Sequence, residues 1–288
     1  MVALSVLAAF GAMLCWSFGD FFIQRTTRKI GSIESLFWIG LVGTMGLLPW
    51  VWTEIPSFFA PANLGILAWL GLLTFVVAII NFEALRVGKL SVIDIILEIE
   101  LPVTIILSLV FFGEQLSLIH LAMMGAIFFG ILLISIKELS LSHLRSSMEK
   151  GVQLAFLAAL GLGLMNFFTA VGARQVSPIA AIWFPAVIYM VLSLAVLLAQ
   201  KRGHAILTHA CQFPRLILAE GILDTAAWVL YALAVSLGTV SITTAITESY
   251  PALAMMLGVA LNKEKIVAHQ YAGALLAIIA SVYLGFWA

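Results

Sequence analysis

The chain has 288 residues, 63% of them hydrophobic and 10% charged, with a mean hydropathy of +1.16 and a formal net charge of +0. A soluble core of this size cannot hide so much apolar surface, and no excess of base points to nucleic acid. The composition fits an all-α polytopic membrane protein, because helices satisfy their own backbone polar groups in lipid. Cys15 and Cys211 match neither a disulfide framework nor a metal-ligand spacing and are read as packing residues, so no metal and no cofactor is expected. The first apolar run has no basic segment ahead of it and is read as a helix that stays, not a cleaved signal.

Crossing a hydrocarbon layer of roughly 30 Å takes about 20 apolar residues. Ten such runs follow one another at 4–23, 34–53, 64–84, 91–111, 117–136, 152–171, 178–199, 216–235, 241–260 and 268–287. Acids and prolines interrupt the fourth and ninth. The long polar connection "KELSLSHLRSSMEK" supplies a linker at 138–150, which separates a first five-helix unit, 1–137, from a second, 151–288.

The two units resemble each other. "GDFFIQRTTRKIGSIESLFW" from Gly19 aligns with "MNFFTAVGARQVSPIAAIWF" from Met165, pairing Asp20 with Asn166 and Arg28 with Arg174. Further on, Gly88 pairs with Gly238, Ser91 with Ser241, Glu98 with Glu248 and Glu114 with Glu264, while Pro102 and Pro251 fall one place out of register. Five helices per unit is odd, so the second repeat enters the membrane inverted relative to the first, an arrangement typical of transporters that alternate access around a central site. Every Lys and Arg except Arg174 falls in the loops after the first, third, fifth, seventh and ninth helices. That asymmetry places those loops and the linker in the cytoplasm and both termini outside, in a cell inner membrane.

The paired segments "LPVTIILSLVFFGEQLSLIHLAMMGAI" and "YPALAMMLGVALNKEKIVAHQYAGALLAII" resemble the drug/metabolite transporter superfamily, of the ten-helix EamA type, as does "MLCWSFGDFF" with Trp16 near the start. The resemblance implies a carrier of metabolites, amino acids or drugs, often an exporter driven by protons or solute exchange. It also implies a central cavity lined by the first, third, fourth, sixth, eighth and ninth helices.

A charged side chain at the bilayer centre costs about 2.5 kcal/mol or more, so such groups face a cavity, pair, or carry a proton. Along the fourth helix Ser91, Asp94, Glu98 and Pro102 share one face, whereas Glu100 lies on another. Pro102 cannot donate to the carbonyl of Glu98, nor Pro251 to that of Thr247, so each repeat is expected to offer a carboxylate beside an unpaired carbonyl. The alternative is a simple kink. In the eighth helix, Glu220, Asp224, Trp228 and Tyr231 form one stripe, a carboxylate above an aromatic wall that suits a cation. Glu220 could instead pair with Arg215, and Trp228 and Tyr231 could be packing residues. Asp20 could pair with Arg25; its match to Asn166 suggests that hydrogen bonding is wanted at both places.

Other acids carry plainer readings. Glu83 and Arg86 read as an interfacial ion pair, Glu34 and Glu54 as solvated, and Glu114 and Glu264 as acids at the turn before the last helix of each repeat. The small residues Ala122, Ala126, Gly130, Gly273, Ala277 and Ser281 predict close contact of the fifth and tenth helices. The sequence thus predicts a secondary transporter, proton-coupled, of a small cationic or zwitterionic solute, with Glu98 and Glu248 exchanging protons and acting alone or as a homodimer. An uncoupled channel or an intramembrane enzyme are the rivals; there is no HExxH, GxSxG or His–Cys pattern to support the enzyme.

Overall fold

In the computed structural model the chain is described at residues 2–87, 93, 96–135, 150–262 and 266–287, and the described secondary structure is helical throughout. The helices are α1 (Val2–Ile30), α2 (Ser32–Val51), α3 (Ile55–Phe58), α4 (Pro61–Val87), α5 (Glu100–Phe112), α6 (Leu118–Ser135) and α7 (Lys150–Gln175), then α8 (Ala180–Ala199), α9 (Gly203–Gln212), α10 (Pro214–Leu237), α11 (Val240–Thr247), α12 (Tyr250–Asn262) and α13 (Ala268–Trp287). Eight of these are long and apolar enough to cross a membrane. They account for all the expected spans except the fourth and ninth.

Those two spans are broken, and at matching places. In the first repeat Ile96 and Leu97 are helical, Glu98 and Ile99 form a turn, and α5 starts at Glu100. In the second, α11 ends at Thr247, Glu248 and Ser249 form a turn, and α12 starts at Tyr250. At both breaks the backbone closes tighter rings than an α-helix: Leu101 N–H donates to the Glu98 carbonyl at 3.2 Å, and Ala252 N–H to the Ser249 carbonyl at 3.1 Å. The Glu98 carbonyl is therefore not left unpaired beside Pro102, as the missing proline N–H alone suggested. The short turn gives it a donor one residue earlier.

Inversion shows directly in how equivalent helices meet. The second helix of each repeat, α2 and α8, lie antiparallel: the pairs run from Phe37 with Leu197 to Trp183 Nε1, which donates to the Thr44 carbonyl at 2.9 Å. The fifth helices, α6 and α13, do the same, with Gln270 Nε2 donating to Ile134 O at 2.7 Å at one end and His120 Nε2 against Trp287 O at 3.2 Å at the other. A Cβ at Gly130 would come within 2.7 Å of the Gly273 carbonyl and 3.1 Å of Ala277 Cβ, so this contact depends on small residues as expected. Ala122, at the end of that stripe, is exposed. The first and third helices cross over: α1 packs most extensively on α10, and α4 on α7, each the mirror of the other under exchange of repeats.

Two glycines make turns that other residues resist. Gly31, with φ of 91°, joins α1 directly to α2, and Gly113, with φ of 63°, ends α5 in a left-handed cap. Outward-facing side chains such as Leu7, Val110 and Phe286 are large, apolar and exposed, as lipid-facing positions require.

Candidate functional site

A cavity of about 1060 Å³ lies between the repeats. α1, α4, the turn before α5, α7, α8, α10 and the α11–α12 break all contribute to its wall. The resemblance implied every one of these except α8, which adds Ala181, Ile182, Pro185 and Tyr189; α2, with Leu36 and Ile39, and the ends of α6 and α13 line it as well and were not implied. The cavity extends to Gln24, Asn81, Ser135 and Gln270, at the ends of their helices on the side of the basic loops.

Four carboxylates line it: Glu98, Glu100, Asp224 and Glu248. Among the described residues, no Lys or Arg does. Glu98 and Glu248 are 6% and 5% exposed and sit in the two turns, where the chain must leave helical geometry and a side chain can point into the gap. Glu100 was expected to face elsewhere, on the premise of a continuous helix. The break at Glu98–Ile99 removes that premise, and both acids reach the same cavity. Asp94 and the side chain of Asp20 lie outside what the structure describes. Asn166 lines the cavity as Asp20's counterpart in the second repeat, with Nδ2 buried and unbonded.

The aromatic wall differs from the expected stripe in one member. Trp228 lines the cavity with Trp16, whose ring meets it edge-on at 5.1 Å, and with Tyr250, 6.3 Å from Trp16. Tyr231 is 0% exposed and stands one layer behind, its hydroxyl 2.9 Å from Thr244 Oγ1. It supports the wall through contacts with Trp16 and Trp228 and does not face the cavity. Trp16 was legible as a feature of the first helix, but Tyr250 carried no signal until the break placed it at the start of α12. Ser17 Oγ, bonded to the Tyr250 carbonyl at 3.1 Å, ties that break to α1. Pro251 lines the cavity, while Pro102 does not.

Three other acids have unexpected partners. Glu34, expected in solvent, is 0% exposed: His209 Nδ1 of α9 lies 2.8 Å from it and Arg202 Nη2 3.6 Å away. Glu54 accepts from Ser177 Oγ, and that hydroxyl in turn accepts from Ala180 N–H at the start of α8. Glu220 is also 0% exposed and takes a 2.8 Å hydrogen bond from Ser35 Oγ, with no bond to Arg215, which is exposed. The Glu83–Arg86 ion pair is present, with Arg86 Nε donating at 2.8 Å.

At the opposite end of the molecule, beside a smaller cavity of about 310 Å³, polar ties cross the repeat boundary. Glu114 does not cap its own repeat. It accepts from Val240 N–H at 2.6 Å and from Ser241 N–H and Oγ at 3.0 and 2.6 Å, holding the N-terminus of α11. Arg174 donates to the Val235 and Gly238 carbonyls at 3.0 and 2.7 Å and stacks 4.4 Å over Phe112. Together they bind the ends of α5, α7 and α10 to the start of α11 across the repeat boundary.

No curated protein matches the chain. A solved structure described only as a crystal structure of a protein shares the fold, with a TM-score of 0.74 at 14% identity over 99% of this chain and 97% of that one. The EamA-like transporter family matches residues 3–136 and 149–286, once for each repeat. Two matches that together span nearly the whole sequence, on a fold of paired five-helix units around a shared cavity, place the chain in the EamA-like transporter family.

Proposed function

We propose that this membrane transporter is a secondary active carrier of a small cationic or zwitterionic solute, coupled to protons and working by alternating access. The observation that carries the reading is the cavity wall: four carboxylates, an aromatic face, and no Lys or Arg among its described residues. An anionic cargo would find repulsion there, whereas an amine finds acids and ring faces. Glu98 and Glu248 occupy equivalent turns in the two repeats, and in this account they take up protons when the cargo leaves. Trp16, Trp228 and Tyr250 receive the cargo's apolar part.

With the basic loops in the cytoplasm, the cavity reaches toward the cytoplasmic side and the Glu114–Arg174 tie closes the outer one. The repeats rock against each other to reverse this, as inverted repeats allow.

The test is current from proteoliposomes on a solid support, challenged with amino acids, amines and drug-like cations at several pH values. The account expects a saturable, pH-dependent current for at least one amine and its loss in Glu98→Gln. A cargo that moves equally well in wild type and variant at every pH would overturn the assigned role of Glu98. Turnover of a lipid or peptide would favour an enzyme instead.

A further inference from the structure

Glu220 lies on α10 one turn before Asp224, yet it does not line the cavity. Its side chain is 0% exposed, between helices that pack closely at small residues. A Cβ at Gly221 would meet Val42 of α2 at 2.7 Å, one at Gly43 would meet Thr225 Oγ1 at 3.1 Å, and one at Gly19 of α1 would meet Leu223 at 3.6 Å. Gly221 and Gly43 let α2 and α10 close around the carboxyl, while at Gly19 of α1 the contact is an ordinary one.

Between these helices, Ser35 Oγ donates to Glu220 Oε2 at 2.8 Å. Thr26 is a second hydroxyl within hydrogen-bonding reach of the carboxyl, its own proton given to the Phe22 carbonyl at 2.9 Å. Oε1 is buried with no hydrogen-bond partner, and among the described residues no Lys, Arg or His makes an ion pair with this carboxyl. A carboxylate there would bury its charge with one oxygen uncompensated, which is the costly arrangement. A carboxylic acid, with O–H on Oε1 and Oε2 accepting from Ser35, fits the same geometry.

The titratable and charged groups around it fall on two sides. Toward the cavity are Asp224 and, close enough to Asp224 to feel its charge, Tyr189 of α8. Toward the basic-loop end, Glu34 neighbours Ser35 on α2 and is held by His209 and Arg202. Arg25 and Lys29 of α1 are stacked on Phe21 and Phe213, at 3.9 and 4.7 Å, and Arg215 is exposed.

We propose that Glu220 holds a proton sealed from water and exchanges it with Asp224 at the cavity wall, as a relay residue of the coupling path. This rests on the reading of the cavity as a proton-coupled cation site. The step balances within the pair: the Glu220 O–H bond breaks, an O–H bond forms on Asp224, and the new Glu220 carboxylate keeps the Ser35 hydroxyl as donor. While an amine occupies the Asp224 side, Asp224 stays ionised and the proton stays on Glu220. When the amine leaves, the proton can pass to Asp224, and the pair takes up a second proton from the cavity through Asp224 in exchange for the cargo, so that the empty carrier holds Glu220 protonated.

Infrared spectroscopy of the full chain in a detergent free of ester carbonyls tests this without any cargo. At neutral pH, wild type should show the carbonyl stretch of a protonated carboxyl that Glu220→Gln lacks; the amide preserves size and the Ser35 contact. After a jump to alkaline pH, Asp224→Asn should lose that band several-fold more slowly than wild type. Identical neutral-pH spectra of wild type and Glu220→Gln would overturn the stored proton, and equal decay in Asp224→Asn would overturn the route. Failure of the transport reading would show separately, as absence of any cargo-driven current in wild type.

Discussion

The two ends of the bundle are built from the same repeat used twice, and they stand in opposite conditions. At one end Glu114 and Arg174 cross the repeat boundary and fasten α5, α7, α10 and α11 through backbone groups. At the other, Gln24, Asn81, Ser135 and Gln270 line one end of a cavity of about 1060 Å³. Sequence similarity between repeats therefore does not mean similar surroundings. An inverted pair can place one repeat's segments in a closed arrangement and the other's in an open one, and exchanging those arrangements is what alternating access consists of.

The largest expected effect lies where the two repeats agree. Glu98→Gln and Glu248→Gln should each cut cargo-driven current by roughly tenfold or more, as removal of a charged hydrogen-bonding partner worth about 1.5–3 kcal/mol implies. If one variant loses transport and the other keeps it, the equivalence of the two turns is structural only. Glu114→Ala addresses the closed end. Losing the cap on α11 should shift the balance toward outward opening by about 1–2 kcal/mol, close to tenfold in population. The readout is labelling by an impermeant thiol reagent of Cys placed at Thr243, which is 3% exposed in the small pocket beside Glu114, in a chain with Cys15 and Cys211 replaced. Unchanged labelling would mean that Glu114 braces the end without gating it.

How much of this the sequence carried depended on distance along the chain. Ten apolar runs and the duplication were legible because hydropathy and internal alignment are local or periodic signals. The acids and prolines marked the fourth and ninth runs as interrupted, but not where the turns fall, since the prolines follow them by a few residues and a helical wheel drawn through them places Glu100 on the wrong side. Glu34 looked solvated from its place near a predicted helix end, yet its partner His209 is 175 residues away on a helix that sequence left as loop. Glu220 offered Arg215 as a local partner, while the real one, Ser35, is 185 residues off. Side chains that pair across the repeat boundary leave no mark at short range.

Two smaller effects sharpen the comparison between scaffold and site. Gly130→Ala would press on the Gly273 carbonyl and should destabilise the protein by about 1–3 kcal/mol, whereas Gly125→Ala, with open space around it, should leave thermal stability near wild type. Equal melting temperatures for the two would remove the α6–α13 contact from the account of stability. Least of all, Tyr231→Phe should cost about 1 kcal/mol through loss of the Thr244 bond and leave the cargo's apparent affinity unchanged, while Trp228→Ala weakens that affinity. A weakened affinity in Tyr231→Phe would return that residue to the cavity wall.

The most direct measurement of the central claim is proton movement itself. Proteoliposomes with a pH dye inside and no starting pH difference are given an outward gradient of a transported amine. The account predicts that amine efflux makes the lumen acidic as protons enter in exchange, and that Glu98→Gln abolishes the change. Amine efflux with constant lumenal pH would contradict it.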